Sequence, residues 1–307
     1  MTKQKSILIF TIGASLFGFT PTFSKLGFLA GCSLGEIIGT QMLIAAVVTW
    51  VLALLKKPDW SRLSKSAVLK LIASGSLSGL TGVFYYASLQ YLPASLAIIL
   101  LFQFVWIGIF YEWIFDRKVP TKITFLSLFL TLLGVVLAAN VLDGNFSELS
   151  IIGLVCGILS GFTYAGFIYV NGKVATHIDP IVRTAFMMTG SLILAIMIFP
   201  SVFITTDIFK SSVWLYSAGT AFFGSIIPPL LFSISAPYLP GGISTILGSI
   251  ELPIAVIMAK IVFAEPIGLL QWMGILLILI SISLDQIKTT LDLMRQPRPE
   301  NRNSRIG

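Results

Sequence analysis

Ten apolar stretches, each close to the ~20 residues with which an α-helix crosses a hydrocarbon core, occupy nearly the whole chain. They run from about Ser6 to Leu29, Leu34 to Leu55, Ala67 to Tyr91, Ala94 to Phe115, Ile123 to Val141, Leu149 to Asn171, Pro180 to Phe199, Val213 to Ala236, Gly241 to Phe263 and Ile267 to Gln286. In lipid every backbone polar group must find its partner inside the protein, so the spans are helices and the chain is an all-α polytopic membrane protein. Composition agrees. Of 307 residues, 56% are hydrophobic and 11% charged, and mean hydropathy is +0.95, which leaves too little polar side chain to face water on all sides.

The formal net charge of +7 would point to nucleic acid in a soluble protein, but here the positive residues gather between spans. With the N-terminus in the cytoplasm, 17 of the 20 Lys and Arg fall on that side. Lys25, Lys210 and Lys260 remain in or near the outer half. The positive-inside rule therefore gives a multi-pass protein of the cell membrane with both termini cytoplasmic, its partners the lipid bilayer and a small molecule, with no nucleic acid. Lys25 and Lys260 read as snorkelling residues near Glu36 and Glu265. The two cysteines, Cys32 and Cys156, fall at different depths and imply no disulfide framework.

The spans form two sets of five that repeat one another. Leu16-Phe17-Gly18-Phe19-Thr20 in span one returns as Leu159-Ser160-Gly161-Phe162-Thr163 in span six, and Tyr91-Leu92-Pro93 returns as Tyr238-Leu239-Pro240. An odd number of spans per repeat makes the copies enter the membrane from opposite sides. Inverted repeats of this kind are the scaffold of carriers with a site near the midplane. Residues 1–142 are thus the first five-helix repeat, 143–148 an external linker, 149–287 the second, inverted repeat, and 288–307 a disordered basic cytoplasmic tail. Reading Gly241-Gly242 as one inserted residue sets Gln103 opposite Glu251.

These paired signatures, with Ser249-Ile250-Glu251-Leu252-Pro253 and Phe263-Ala264-Glu265-Pro266 in and after span nine, resemble the drug/metabolite transporter superfamily, EamA type. The resemblance covers the chain except its tail. It implies ten helices in two halves, export of amino acids or other small metabolites, and a site between spans one, three, four, six, eight and nine. Gln41 stands in span two where many members of that superfamily carry Arg.

Glu251 lies about ten residues from either end of span nine, near the membrane centre. A carboxylate there costs several kcal/mol unless paired, hydrated or protonated, so it is the first candidate for the substrate cavity and for proton coupling. Its other reading is an interhelical hydrogen-bond donor. Gln103 and Trp106 are one turn apart and present an amide and an indole to one side of span four. Tyr85, Tyr164 and Gln41 complete the set of candidate substrate-binding residues, Glu251, Gln103, Trp106, Tyr85, Tyr164 and Gln41. Glycines at helical spacing, Gly75, Gly79 and Gly82 in span three and Gly153, Gly157 and Gly161 in span six, read as close-packing faces. Pro21 and Pro228-Pro229 bend spans one and eight. Glu112, Asp116 and Arg117 read as a solvated charge cluster.

No His-Glu-x-x-His, Cys-x-x-Cys or P-loop is present, and there is one histidine. An enzyme, a metal site, a cofactor and a self-powered pump are therefore not expected. A secondary carrier working by alternating access is the reading, with a multidrug efflux carrier or a channel-like facilitator as alternatives. The oligomeric state is open.

Overall fold

The computed structural model describes residues 1–58, 63–92, 94–138, 150–204, 211–264 and 267–295; the linker 143–148, Lys210 and Glu265 lie outside them. The ten spans stand as helices. Among the described residues eight segments have the length and apolarity to cross a membrane, and two, Lys122–Ala138 and the Leu269–Leu284 part of the last helix, are shorter apolar helices. Side chains such as Leu55, at 74% exposure, and Ile151, at 77%, face outward. In a bilayer those surfaces meet acyl chains rather than water.

Local chemistry sets the helix starts. Helix α3 (Leu34–Leu55) opens on a capping box in which Ser33 Oγ accepts from the Glu36 N–H and Glu36 accepts from the Ser33 N–H. Ser64 caps α4 (Lys65–Tyr91), Ser150 caps α8 (Ile151–Asn171) and Asp179 caps α9 (Pro180–Ile198), each accepting one backbone N–H of the first turn.

Several spans are broken. Span one consists of α1 (Lys3–Phe17) and α2 (Thr20–Leu29), with Pro21 in the first turn of α2; the break thus falls just before the proline, whose missing N–H would have bonded Phe17. Span four is split into α5 (Ala94–Leu101) and α6 (Phe104–Asp116), and span nine into α13 (Gly241–Gly248) and α14 (Glu251–Phe263). The two pairs match: eight and thirteen residues each, ending on left-handed residues Arg117 (φ 55°) and Ala264 (φ 55°). Equal lengths put Ala94 opposite Gly241 and Phe104 opposite Glu251. This corrects the slipped register, because no residue is inserted and Gln103 corresponds to Ile250.

Span eight runs through α11 (Ser211–Thr220), a π-helical turn (Ala221–Ile226) and α12 (Ile227–Ser235). Pro228 and Pro229 donate no N–H to the carbonyls four residues back, and the ladder slips to the wider turn, with Ile227 N–H bonding Phe222. The short α10 (Pro200–Ile204) follows α9. The last helix, α15 (Leu269–Arg295), continues past Lys288, and the rest of the expected tail, 296–307, lies outside the described residues. Ile287, Leu291 and Met294 keep helical spacing there, and no proline intervenes before Pro297.

The main packing crosses between the halves: α4 lies on α8 and α9, α3 on α9, α1 on α12, and α7 (Lys122–Ala138) on α15. The inverted relation is visible at one end of the molecule. Phe10, midway along α1, stacks on Phe232 at 4.0 Å, and the neighbouring Ser233 carbonyl is bonded by Arg183, which also bonds Asn171 at the finish of α8. Helix α1 begins where its counterpart α8 ends. The repeated glycine of each half meets the broken span of the other. A Cβ on Gly18 would lie 2.6 Å from the Glu251 carbonyl oxygen, and one on Gly161 would lie 3.0 Å from that of Leu100.

Candidate functional site

Where the breaks converge, the helices leave a cavity of about 300 Å³. Its walls come from α1 and α2 (Phe17, Thr20, Ser24, Phe28), α3 (Ile38, Gln41, Met42), α4 (Ser78, Thr81, Gly82, Tyr85, Tyr86), the end of α5 (Leu101), α8 (Tyr164), the π turn (Gly224, Ser225) and the start of α14 (Glu251). Span two thus joins the set of spans expected around the site. The cavity reaches from Glu251 toward the Lys25 and Phe28 end of α2. The opposite end is filled by Phe10, Phe104, Phe167, Arg183 and Phe232, all buried.

Glu251 owes its place to the broken span. It is the first residue of α14, where an acid complements the helix dipole, and its Oε2 accepts from the Tyr164 hydroxyl at 3.0 Å. The Tyr164 ring lies between the two repeats, edge-on to Phe104 at 4.7 Å and to Phe17 at 5.9 Å. Since Phe104 is the counterpart of Glu251, the same ring touches the start of both half-helices. Tyr85 and Tyr86 stand side by side, ring centroids 5.6 Å apart, and the Tyr86 hydroxyl shares a 2.9 Å hydrogen bond with Ser24. Gln41 donates from Nε2 to Ser225 Oγ at 2.7 Å, while its Oε1, like Thr20 Oγ1, is buried with no partner.

Of the six residues singled out from the sequence, Glu251, Tyr85, Tyr164 and Gln41 meet in this cavity. Gln103 and Trp106 do not line it. Trp106 Nε1 donates to Gln103 Oε1 at 2.7 Å and Gln103 Nε2 donates to the Ile99 carbonyl at 3.0 Å, so the two satisfy each other across the α5–α6 break. Ser24 and Ser225 line the cavity without having been singled out, and Tyr86, a polar handle of span three ranked behind Tyr85, lines it as well. Tyr86 follows Tyr85 directly, and Ser225 acquires its position only through the π turn. Lys25 also lines the cavity rather than simply snorkelling, and its ammonium sits 4.4 Å from the centre of the Phe263 ring. Among the described lining residues Glu251 is the single acid and Lys25 the single base. Among the described residues no three His, Cys, Asp or Glu side chains gather as a metal site.

The expected glycine faces resolve by neighbour. A Cβ on Gly75 would lie 1.7 Å from the Met187 carbonyl oxygen and one on Gly190 would lie 1.9 Å from that of Ile72, so α4 and α9 touch backbone to backbone. Gly82 instead faces the cavity. The charge cluster is a correction: Glu112 is buried and accepts the Gly242 N–H at 2.8 Å, and Asp116 accepts from Tyr169 at 2.8 Å and pairs with Lys173 at 2.7 Å. These contacts bind α6 to α8 and α13 at the end away from the cavity.

A bundle of membrane-crossing helices built from two repeats around a midplane cavity is the architecture of membrane transporters. The chain belongs to the EamA-like transporter family, whose family model matches residues 4–140 and 151–284. It is 27% identical over 143 residues to a Synechocystis sp. protein named as an uncharacterized transporter, a match covering 47% of this chain and 42% of that relative. The chain thus aligns with less than half the length of that relative. A solved structure titled only as the crystal structure of a protein superposes with a TM-score of 0.80 over 96% of this chain and all of its own, at 11% identity. At that identity the likeness is one of fold.

Proposed function

We propose that this transporter is a secondary carrier exporting amino acids or other small metabolites across the cell membrane, with both termini in the cytoplasm. Residues 1–142 and 149–287 act as the two units, and rocking of one against the other exposes the central cavity to either side. Glu251, Tyr85, Tyr164 and Gln41 form the binding site, and Glu251 is the group through which a proton gradient is coupled.

One observation carries this reading: a cavity runs from the midplane acid toward one end of the bundle, while the opposite end of that cavity is closed by buried aromatic rings and Arg183. That asymmetry is what a carrier in one of its two end states presents. A multidrug efflux carrier is the second reading, favoured by the aromatic walls, which suit lipophilic compounds.

Purified protein in liposomes loaded with a labelled mixture of amino acids and metabolites tests the proposal. Saturable, selective release that Glu251→Gln impairs, and that a pH gradient drives, is the expected result. Nonsaturating flux of many solutes overturns it in favour of a channel, and release confined to lipophilic compounds favours the second reading.

A further inference from the structure

The distribution of charge and of unpartnered acceptors in the cavity specifies which end of a substrate it recognises. Glu251 brings the only negative charge to the described lining. Its Oε2 is taken by Tyr164, and Oε1 has no protein donor among the described residues. A lone carboxylate at that depth needs a positive countercharge or a proton. Lys25 does not supply the countercharge. Its ammonium sits by Phe263, twelve residues along α14 from Glu251, which is roughly 18 Å of helix at ~1.5 Å per residue.

A second acceptor stands in the same cavity independently of Glu251. Gln41, only 6% exposed, has its Oε1 without a partner while its Nε2 is committed to Ser225. An ammonium group offers three donors and no acceptor, which suits the open Oε1 of Glu251, with the buried Gln41 Oε1 as a second acceptor once its amide turns toward the cavity. The faces of Tyr85, Tyr86 and Tyr164 complement a cation electrostatically and an apolar body by contact. A substrate carboxylate within a few ångströms of Glu251 meets no cationic side chain and is repelled by the acid.

Resting on the carrier reading above, we infer that the substrate is recognised through a protonated amine held at Glu251 and Gln41, and that the cavity prefers an amine with an apolar body to the corresponding zwitterion or carboxylate.

Three probes share one ring and one two-carbon arm: 2-phenylethylamine, phenylalanine and 3-phenylpropionate. Their binding to the purified full chain is measured calorimetrically at neutral pH, and each is added as a competitor to the liposome release assay. The expected order is amine, then zwitterion, then carboxylate, with about tenfold or more between the first and last, the equivalent of one charge-assisted hydrogen bond. Glu251→Gln abolishes the order. Glu251→Asp, which keeps the charge and serves if the glutamine variant does not fold, retains it. The inference is overturned if the carboxylate binds as tightly as the amine, if the order survives in Glu251→Gln, or if the amine neither binds nor competes while labelled solute is released. In that last case the carrier reading stands, whereas absence of saturable release of any solute removes the carrier reading itself.

Discussion

Where α4 crosses α9, two residues set how closely the repeats approach. Gly75 and Gly190 each face a carbonyl of the other helix at a distance no Cβ tolerates, and Ser191 Oγ donates to the Gly75 carbonyl at 2.7 Å. Gly75→Ala and Gly190→Ala are each expected to destabilise the protein by about 2 kcal/mol, because the backbones must separate. The thermal unfolding midpoint in detergent reports this, and an unchanged midpoint in both would refute the close approach. Arg183 is a second constrained residue. It is 1% exposed, donates to the Ser233 carbonyl at 2.8 Å and to the Asn171 carbonyl, and has no ion-pair partner among the described residues. Arg183→Leu strands both carbonyls and is expected to cost about 1–3 kcal/mol, read in the same assay. The glycine spacing was visible in the sequence, but Arg183 read as a residue of the cytoplasmic side. Only the meeting of α8, α9 and α12 shows it buried.

Among the elements, the broken helices position the cavity walls. Pro228 and Pro229 force the π turn that brings Ser225 within 2.7 Å of Gln41. Replacing both by alanine restores two backbone donors and lets a regular helix form, which rotates Ser225 by about one residue, ~100°. Substrate affinity in the release assay is expected to fall severalfold while the protein stays folded; an unchanged affinity would remove Ser225 and Gln41 from the site. Trp106→Phe is the contrasting case. It removes the hydrogen bond to Gln103 outside the cavity, so stability is expected to drop by about 1 kcal/mol with little change in affinity. The prolines announce the bends of spans one and eight. The break at Phe102-Gln103 has no glycine or proline beside it, whereas that at Ser249-Ile250 follows Gly248 and precedes Pro253, whose missing N–H would have bonded the Ser249 carbonyl. Both breaks lie at the crossing with a glycine of the opposite repeat, Gly161 and Gly18, a contact between residues far apart in the chain.

For the whole molecule, closure of the end away from the cavity depends on ties between repeats: Glu112 to the Gly242 N–H, and Asp116 to Tyr169 and Lys173. Glu112→Gln with Asp116→Asn weakens these ties without removing bulk, and is expected to populate the state open at that end. In a Cys32→Ser, Cys156→Ser background, a cysteine at Phe167, fully buried here, is then expected to react with a water-soluble maleimide about fivefold faster, equivalent to about 1 kcal/mol of bias. Equal rates with and without the double substitution would show that these contacts do not hold that end closed.

The amino-acid sequence by itself determined that the chain crosses the membrane, how many times, and that its halves repeat, because hydropathy and odd-numbered repetition are local and additive properties of the chain. It also singled out Glu251, Tyr85, Tyr164 and Gln41, which line one cavity, since polar groups deep in apolar helices stand out against their surroundings. The tertiary structure decided the register of the repeats, the separation of Gln103 and Trp106 from the cavity, and the burial of Glu112 and Arg183. Each of these depends on which helix faces lie together. The apolar stretches are hydrophobic nearly all round, so no polar stripe in the sequence marks the inward face, and close contacts between distant segments settle it.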